Sequence, residues 1–157
     1  MAGNVFLKLG DVKGDVKVKG HRREIELASF SWGVSATVSK GGGGGGVGKV
    51  VSDGLAFSAA SSSASPQLFA LCTAGKMSKD AVITVQRPGD QPFVYVTITL
   101  SDVQVTSYHE DWADGDVTPS DHVSLAYGKV TFTYTSQTAK GAVGGTTSSS
   151  WSVKGKS

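Results

Sequence analysis

The chain contains a single cysteine, Cys72, among 157 residues. A lone thiol closes no intramolecular disulfide, so a disulfide-stapled secreted mini-domain is excluded and folding is expected in a reducing cytosol. At its apolar position Cys72 reads as a small core hydrophobe. Long hydrophobic runs are missing too: nothing approaches the roughly 18 consecutive apolar residues of a membrane-spanning helix. The opening Met1-Ala-Gly-Asn-Val-Phe-Leu-Lys-Leu-Gly10 lacks the basic and apolar regions of a signal peptide. Any export is therefore expected to use a route that reads no N-terminal signal. Charge of one sign is also scarce. A net charge of +2 with 18% charged residues leaves no basic stripe of the kind that grips nucleic acid.

Catalytic and cofactor signatures are equally thin. Gly43 to Val50 reads G-x-x-x-x-G-K, but Val50 stands where a P-loop needs a hydroxyl for magnesium. The following Val50-Val-Ser-Asp-Gly54 reads as strand and turn, so no helix N-terminus faces a phosphate. His21, His109 and His122 do not fall at metal-ligand spacing and read as loop residues or strand ends. Glu110-Asp-Trp-Ala-Asp-Gly-Asp116 lacks the alternating oxygen ligands and terminal bidentate Glu of a calcium loop. No G-x-S-x-G elbow singles out a nucleophile among the serines. No enzyme, cofactor or metal is expected.

What the chain does have is 21 Gly and 21 Ser, together with 20 Val and 13 Thr. The first two pile up at Gly41 to Gly48, Ser58 to Ser65 and Ser136 to Ser157. Between these expected loops the β-branched residues suit strands better than helices. Period-2 patterns place strands at Val5 to Leu9, Glu24 to Leu27, Ser29 to Val38, Val50 to Ser52, Leu55 to Ala60, Ala81 to Gln86, Phe93 to Leu100, Val103 to Tyr108 and His122 to Thr135. Arg87-Pro-Gly-Asp90 signals a hairpin turn. In Ser29 to Val38, one face carries Phe30, Trp32, Val34, Ala36 and Val38, and the other carries Ser29, Ser31, Gly33, Ser35 and Thr37. One helix is expected, with Ser65 as N-cap, Pro66 in the first position, Gly75 as stop, and Leu68, Leu71 and Cys72 on one stripe. The length fits one domain, residues 1–157. The reading is an all-β barrel or sandwich with one short α-helix, a Gly-rich loop at 40–49 and a Ser/Gly-rich tail at 136–157.

Charge is unevenly placed. Residues 1–87 carry 11 basic and 6 acidic groups, whereas residues 88–157 carry 4 and 7. The extremes are Lys13, Lys17, Lys19, Arg22 and Arg23 against Glu110, Asp111, Asp114, Asp116 and Asp121. Opposite charge on one molecule favours association of copies, and this profile points to assembly over catalysis. Trp112 reads as an interface anchor, and Trp151 as a sign that the tail docks on its own domain or a neighbour.

Several motifs, in order, carry a resemblance: Phe6-Leu-Lys-Leu-Gly-Asp-Val-Lys-Gly14; Gly20-His21 with Glu24-Ile-Glu-Leu27; Ser29-Phe-Ser-Trp-Gly-Val34; and Gly48-Lys49-Val50 with Leu55-Ala-Phe57. Ser65-Pro66 with Leu68, Gly75-Lys76, Val123-Ser-Leu125, Gly128-Lys-Val130 and Tyr134 follow. The whole resembles the Hcp family, the tube subunits of bacterial type VI secretion systems. The resemblance implies a homohexameric ring of the phage tail-tube type. Rings stack into a hollow tube that carries small effector proteins in its channel. It further implies a VgrG-type spike and a contractile sheath as partners, assembly in the bacterial cytoplasm, and expulsion without a signal peptide or membrane insertion. On that reading Ser29, Ser31, Gly33 and Ser35 face the channel. Gly41, Gly43, Gly46, Gly48 and Lys49 belong to a loop reaching the next ring. Lys17, Lys19, Arg22, Arg23, Glu110, Asp111, Asp114 and Asp116 lie at ring–ring or subunit contacts. The alternatives are a phage or pyocin-like tail tube, a secreted β-sandwich binding module with Trp112 and Trp151 as stacking platforms, and a small hydrolase.

Overall fold

The β-branched stretches form strands in a computed structural model, which describes residues 4–38, 47–87 and 92–153. These are β1 (Val5–Leu9), β2 (Ile25–Glu26), β3 (Ser29–Val38), β4 (Val47–Ala60), α1 (Ala64–Ala74), β5 (Met77–Arg87), β6 (Phe93–Asp111), β7 (Ser120–Ala126), β8 (Lys129–Gln137) and β9 (Val143–Ser152). All pairings are antiparallel, in the order β2-β1-β5-β6-β7-β4-β3, with β8 on β6 and β9 on β8. The two ends of this path meet, because β2 runs through Leu27 and Ala28 into β3 and Ala28 N–H donates to Ser58 O at 2.8 Å. The sheet thus curls around one core. That core draws Leu7 and Leu9 from β1, Leu55 and Phe57 from β4, Ile83 from β5, Ile98, Leu100, Val103 and Val105 from β6, and Val123 and Leu125 from β7. Each such side chain, fully buried, contributes about 1.5–3 kcal/mol.

The long strand β6 organises the barrel. Its first part, Val96 to Ser101, pairs with β8, and its last part, Gln104 to Asp111, pairs with β7. The switch falls at Asp102, which adopts φ 54°, against the Tyr127-Gly128 link between β7 and β8. Ser101-Asp102 reads as a break in sequence, so Phe93 to Leu100 and Val103 to Tyr108 looked separate; they are one bent strand. The same holds for Val50 to Ser52 and Leu55 to Ala60, joined in β4 through Gly54. There φ is 72°, and a Cβ would meet Leu125 O at 2.9 Å. Conversely, His122 to Thr135 divides into β7 and β8, and Glu24 to Leu27 shrinks to β2. The hairpin expected around Arg87 is supported by the pairing Arg87↔Phe93, although residues 88–91 lie outside the described range.

Two of the three Gly/Ser clusters are not loops. Ser58 to Ala60 end β4, and the helix begins two residues before its expected start. Its N-cap is Ser63, not Ser65, because the Ser65 hydroxyl donates to the Asp121 carboxylate and also accepts Ser62 N–H. Pro66 still falls in the first turn, where a missing N–H costs nothing. Gly75 ends the helix in the left-handed conformation as expected. Within residues 136–157, Val143–Ser152 form β9. Hydroxyls pair across it, Thr131 with Ser150 at 2.8 Å and Thr133 with Ser148 at 2.9 Å, so polar residues that read as a tail make an edge strand. Trp151 packs against the domain's own core.

Candidate functional site

The expected channel strand β3 supplies one quarter of a larger surface. Its inward Phe30 and Trp32 are half-buried, Ser29 and Ser31 are exposed, and the alternation stops at a bulge at Gly33. Beyond it Val34 and Val38 are 48% and 76% exposed and Ser35 and Ala36 are exposed as well, so the expected apolar face ends at Trp32. Core residues lie only beneath the first half of the strand. Across the barrel wall the register sets Ser29 beside Ser58, Ser58 beside His122 and His122 beside His109. A second row runs Ser31, Ala56, Ser124, Ser107. With Phe57 and Val123 turned to the core, these two rows share the outward face and line a shallow concavity of about 350 Å³. Among the described residues its lining holds no Lys, Arg, Asp or Glu.

The charged stretches do not occupy opposite poles. Strands β1 and β6 run in the same direction, so the loop after Leu9 and the end of β6 leave the sheet at the same end. Both reach the segment before α1: Asp15 accepts Ser63 N–H at 3.1 Å and Ser63 Oγ–H at 2.5 Å, while Glu110 accepts Ser61 Oγ–H at 2.8 Å. The Ser63 hydrogen bonds, helped by the charges of Arg23 and Lys17, hold the Asp15 carboxyl below its usual range. Lys17, Lys19, Arg22, Arg23, Asp111, Asp114 and Asp116 are exposed there, with Glu110. Strands β3, β5 and β8 end, and β4, β6 and β9 begin, at the other end. Gly41, Gly43 and Gly46 lie outside the described residues. Gly48 and Lys49 belong to β4, where Lys49 N–H donates to Thr37 Oγ1 at 3.0 Å and a Cβ on Gly48 would collide with the Thr37 side chain. Lys49 continues along β4, where a P-loop lysine would open a helix.

Asp121 departs from its acidic neighbours. It is 2% exposed and accepts hydrogen bonds from Ser61 Oγ at 2.8 Å, Ser65 Oγ at 2.5 Å and Tyr108 Oη at 2.8 Å. Burial first, then the bond to Asp121 and its charge, push the Tyr108 hydroxyl up to about 12. This cluster ties α1 to β6 and β7, and so is an internal anchor and not a contact patch. His21 is likewise internal: its ring stacks on Phe6 at 4.3 Å and its nitrogens meet Glu24 Oε1 and Gln86 Oε1. Trp112 is 58% exposed with Nε1–H donating to Asp116 O at 3.0 Å. Trp151, packed on the core, offers no free stacking platform.

Residues 6–134 match the family described as "Type VI secretion system effector, Hcp". Over 157 residues the chain is 36% identical to protein hcp1 of Pseudomonas aeruginosa, covering 98% of this chain and 97% of that protein. The chain belongs to the Hcp family. The barrel agrees: a structure described as that of a type six secretion system protein superposes with TM-score 0.89 at 24% identity, covering 99% of both chains. Hcp1 from Salmonella typhimurium superposes with TM-score 0.77 at 25% identity, covering 98% of this chain and 96% of that one. Hcp proteins are secreted components of type VI systems, structural in kind. Among the described residues no helix is long and apolar enough to cross a membrane.

Proposed function

We propose that this Hcp chain closes into homohexameric rings that stack head to tail into the inner tube of a type VI apparatus, with the β3-β4-β7-β6 face lining the channel. The observation that carries this reading is that face: two rows of Ser, Ala and His, without a charged residue in the concavity they line, on the outside of a barrel whose core lies beneath. Small uncharged side chains make a wall to which cargo binds weakly and from which it releases. Among the described residues, strands β3 and β9 each leave one edge without a partner, and such edges are templates for pairing with another copy. The molecule is also polar along its strands, with the ends of β3, β5 and β8 on one side and the charged loops with the start of α1 on the other. That asymmetry suits head-to-tail stacking, the Gly-rich connection meeting the next ring. Lys17 to Arg23 and Glu110 to Asp116, being at the same end, then serve contacts between neighbouring subunits. The chain acts as structural tube and carrier of small effector proteins, not as an enzyme. It assembles in the bacterial cytoplasm and is expelled by a contractile sheath behind a VgrG-type spike.

Thiol accessibility tests the channel assignment. In a Cys72→Ser background, a cysteine introduced by Ser31→Cys should react with a bulky polymer maleimide in dissociated subunits and be protected in stacked tubes. A small maleimide should label it in both states. Equal reaction of the bulky reagent in tubes and subunits would place Ser31 outside the channel and overturn the assignment.

A further inference from the structure

His109 and His122 are 13 positions apart in sequence, and the β6–β7 register makes them direct Cα partners. Both lie on the outward face, since their neighbours Tyr108 and Val123 turn toward the core, and both line the same concavity. Directly opposed residues on antiparallel strands have Cβ atoms about 4.5–5.5 Å apart, a span that two imidazoles can bridge onto one ion with bonds of about 2.0–2.1 Å. A second observation concerns the proton on one ring. Asp111, two residues after His109 on the same face, places Oδ2 3.2 Å from His122 Nε2. A carboxylate there holds the proton on Nε2 and leaves the Nδ1 lone pair free. This is the carboxylate–histidine arrangement that orients metal-ligating imidazoles and raises their basicity.

We propose that His109 and His122 form a two-imidazole site for a borderline divalent transition ion such as Cu²⁺ or Zn²⁺, with Asp111 as a positioning residue. Imidazole suits these ions, with Cu²⁺ held more tightly than Zn²⁺. Among the described residues no set of three or more His, Cys, Asp or Glu side chains is arranged to hold a metal, so the described residues supply two ligands here. The remaining positions are open to water or to a donor group on a bound molecule, and Ser58, Ser107 and Ser124 border the same concavity. His21 does not compete, because both its ring nitrogens already have partners. Both ligands come from one chain, so the site stands whether or not rings form.

The test is titration of the purified full chain with Cu²⁺, read by electron paramagnetic resonance, whose nitrogen hyperfine pattern counts bound imidazoles. The expected result is one ion per chain with two imidazole nitrogens. His109→Gln and His122→Gln should each leave one nitrogen and weaken binding about tenfold or more, and Asp111→Asn should keep both nitrogens with a smaller loss of affinity. The side chains of His122 and Asp111 are 49% and 72% exposed, so these variants should fold, and circular dichroism checks it. The double variant His109→Gln/His122→Gln sets the background from other donors. Binding in that variant equal to the parent, or a nitrogen pattern unchanged by either single substitution, would overturn the proposal.

Discussion

Replacing Asp121 by Asn tests the internal anchor with the least change of shape. The carboxylate is buried and takes three hydroxyl donors. Hydrogen bonds to a charged group are worth about 1.5–3 kcal/mol each. Ser61 loses little, because Glu110 Oε2 lies 2.8 Å from the same hydroxyl. Ser65 and Tyr108 reach different oxygens, and the amide keeps only one of them as an acceptor, so one bond is lost and the other becomes neutral. Relief of the carboxylate's desolvation offsets part of this. A net destabilisation of about 2–3 kcal/mol follows. Urea unfolding at fixed protein concentration, followed by circular dichroism, measures it as a lower midpoint with an unchanged slope. The same variant carries a second readout. Tyr108 should titrate below about 12 but above its ordinary value of 10.0, since the charge of Asp121 is gone while burial remains. Tyrosinate absorbance reports it. A loss under about 0.5 kcal/mol, the range of surface substitutions, together with an unmoved Tyr108 titration would refute the anchor.

Three further outcomes follow from the same geometry. Because its raised value lets folded protein keep the Tyr108 proton after the unfolded chain has lost it, this group's contribution to stability is complete below about pH 10 and lost as pH rises through about 12; Tyr108→Phe should flatten that alkaline decline in a pH series of urea midpoints. Asp15, held below 3.8, contributes in the opposite sense: its stabilisation is present above that pH and fades as pH falls through its lower folded value, so Asp15→Asn should remove part of the acid-side slope. Charge reversal of Arg22 and Arg23 to Glu should weaken assembly while leaving the subunit's circular dichroism unchanged, and tubes of parental length and number in micrographs would remove these residues from the contacts.

Local signals made the strands and the helix stop readable. Alternation in Val5 to Leu9 and the Gly75 terminator act within a few residues, and the structure keeps both. What escaped depends on partners distant in sequence. The polar run Thr146 to Ser150 has no apolar alternation, yet it becomes β9 because its hydroxyls meet Thr131, Thr133 and Thr135 across β8. Ser65 looked like a cap, but Asp121, 56 residues later, claims its hydroxyl. Asp121 itself sat in an acidic run and read as part of a charged association patch, because nothing local marks the Ser61, Ser65 and Tyr108 donors that bury it. The small polar face of β3 was legible as one strand. Its extension over β4, β7 and β6, and the pairing of His109 with His122, exist only once register is fixed.

The central claim is that function begins when six copies close a ring. Size-exclusion chromatography with light scattering, combined with negative-stain projections of the same fraction, addresses it directly. The expected result is a particle of about six times the 16.1 kDa chain mass, with sixfold rings and an open centre in projection. A strict monomer at high concentration, or a closed particle of another symmetry, would contradict it.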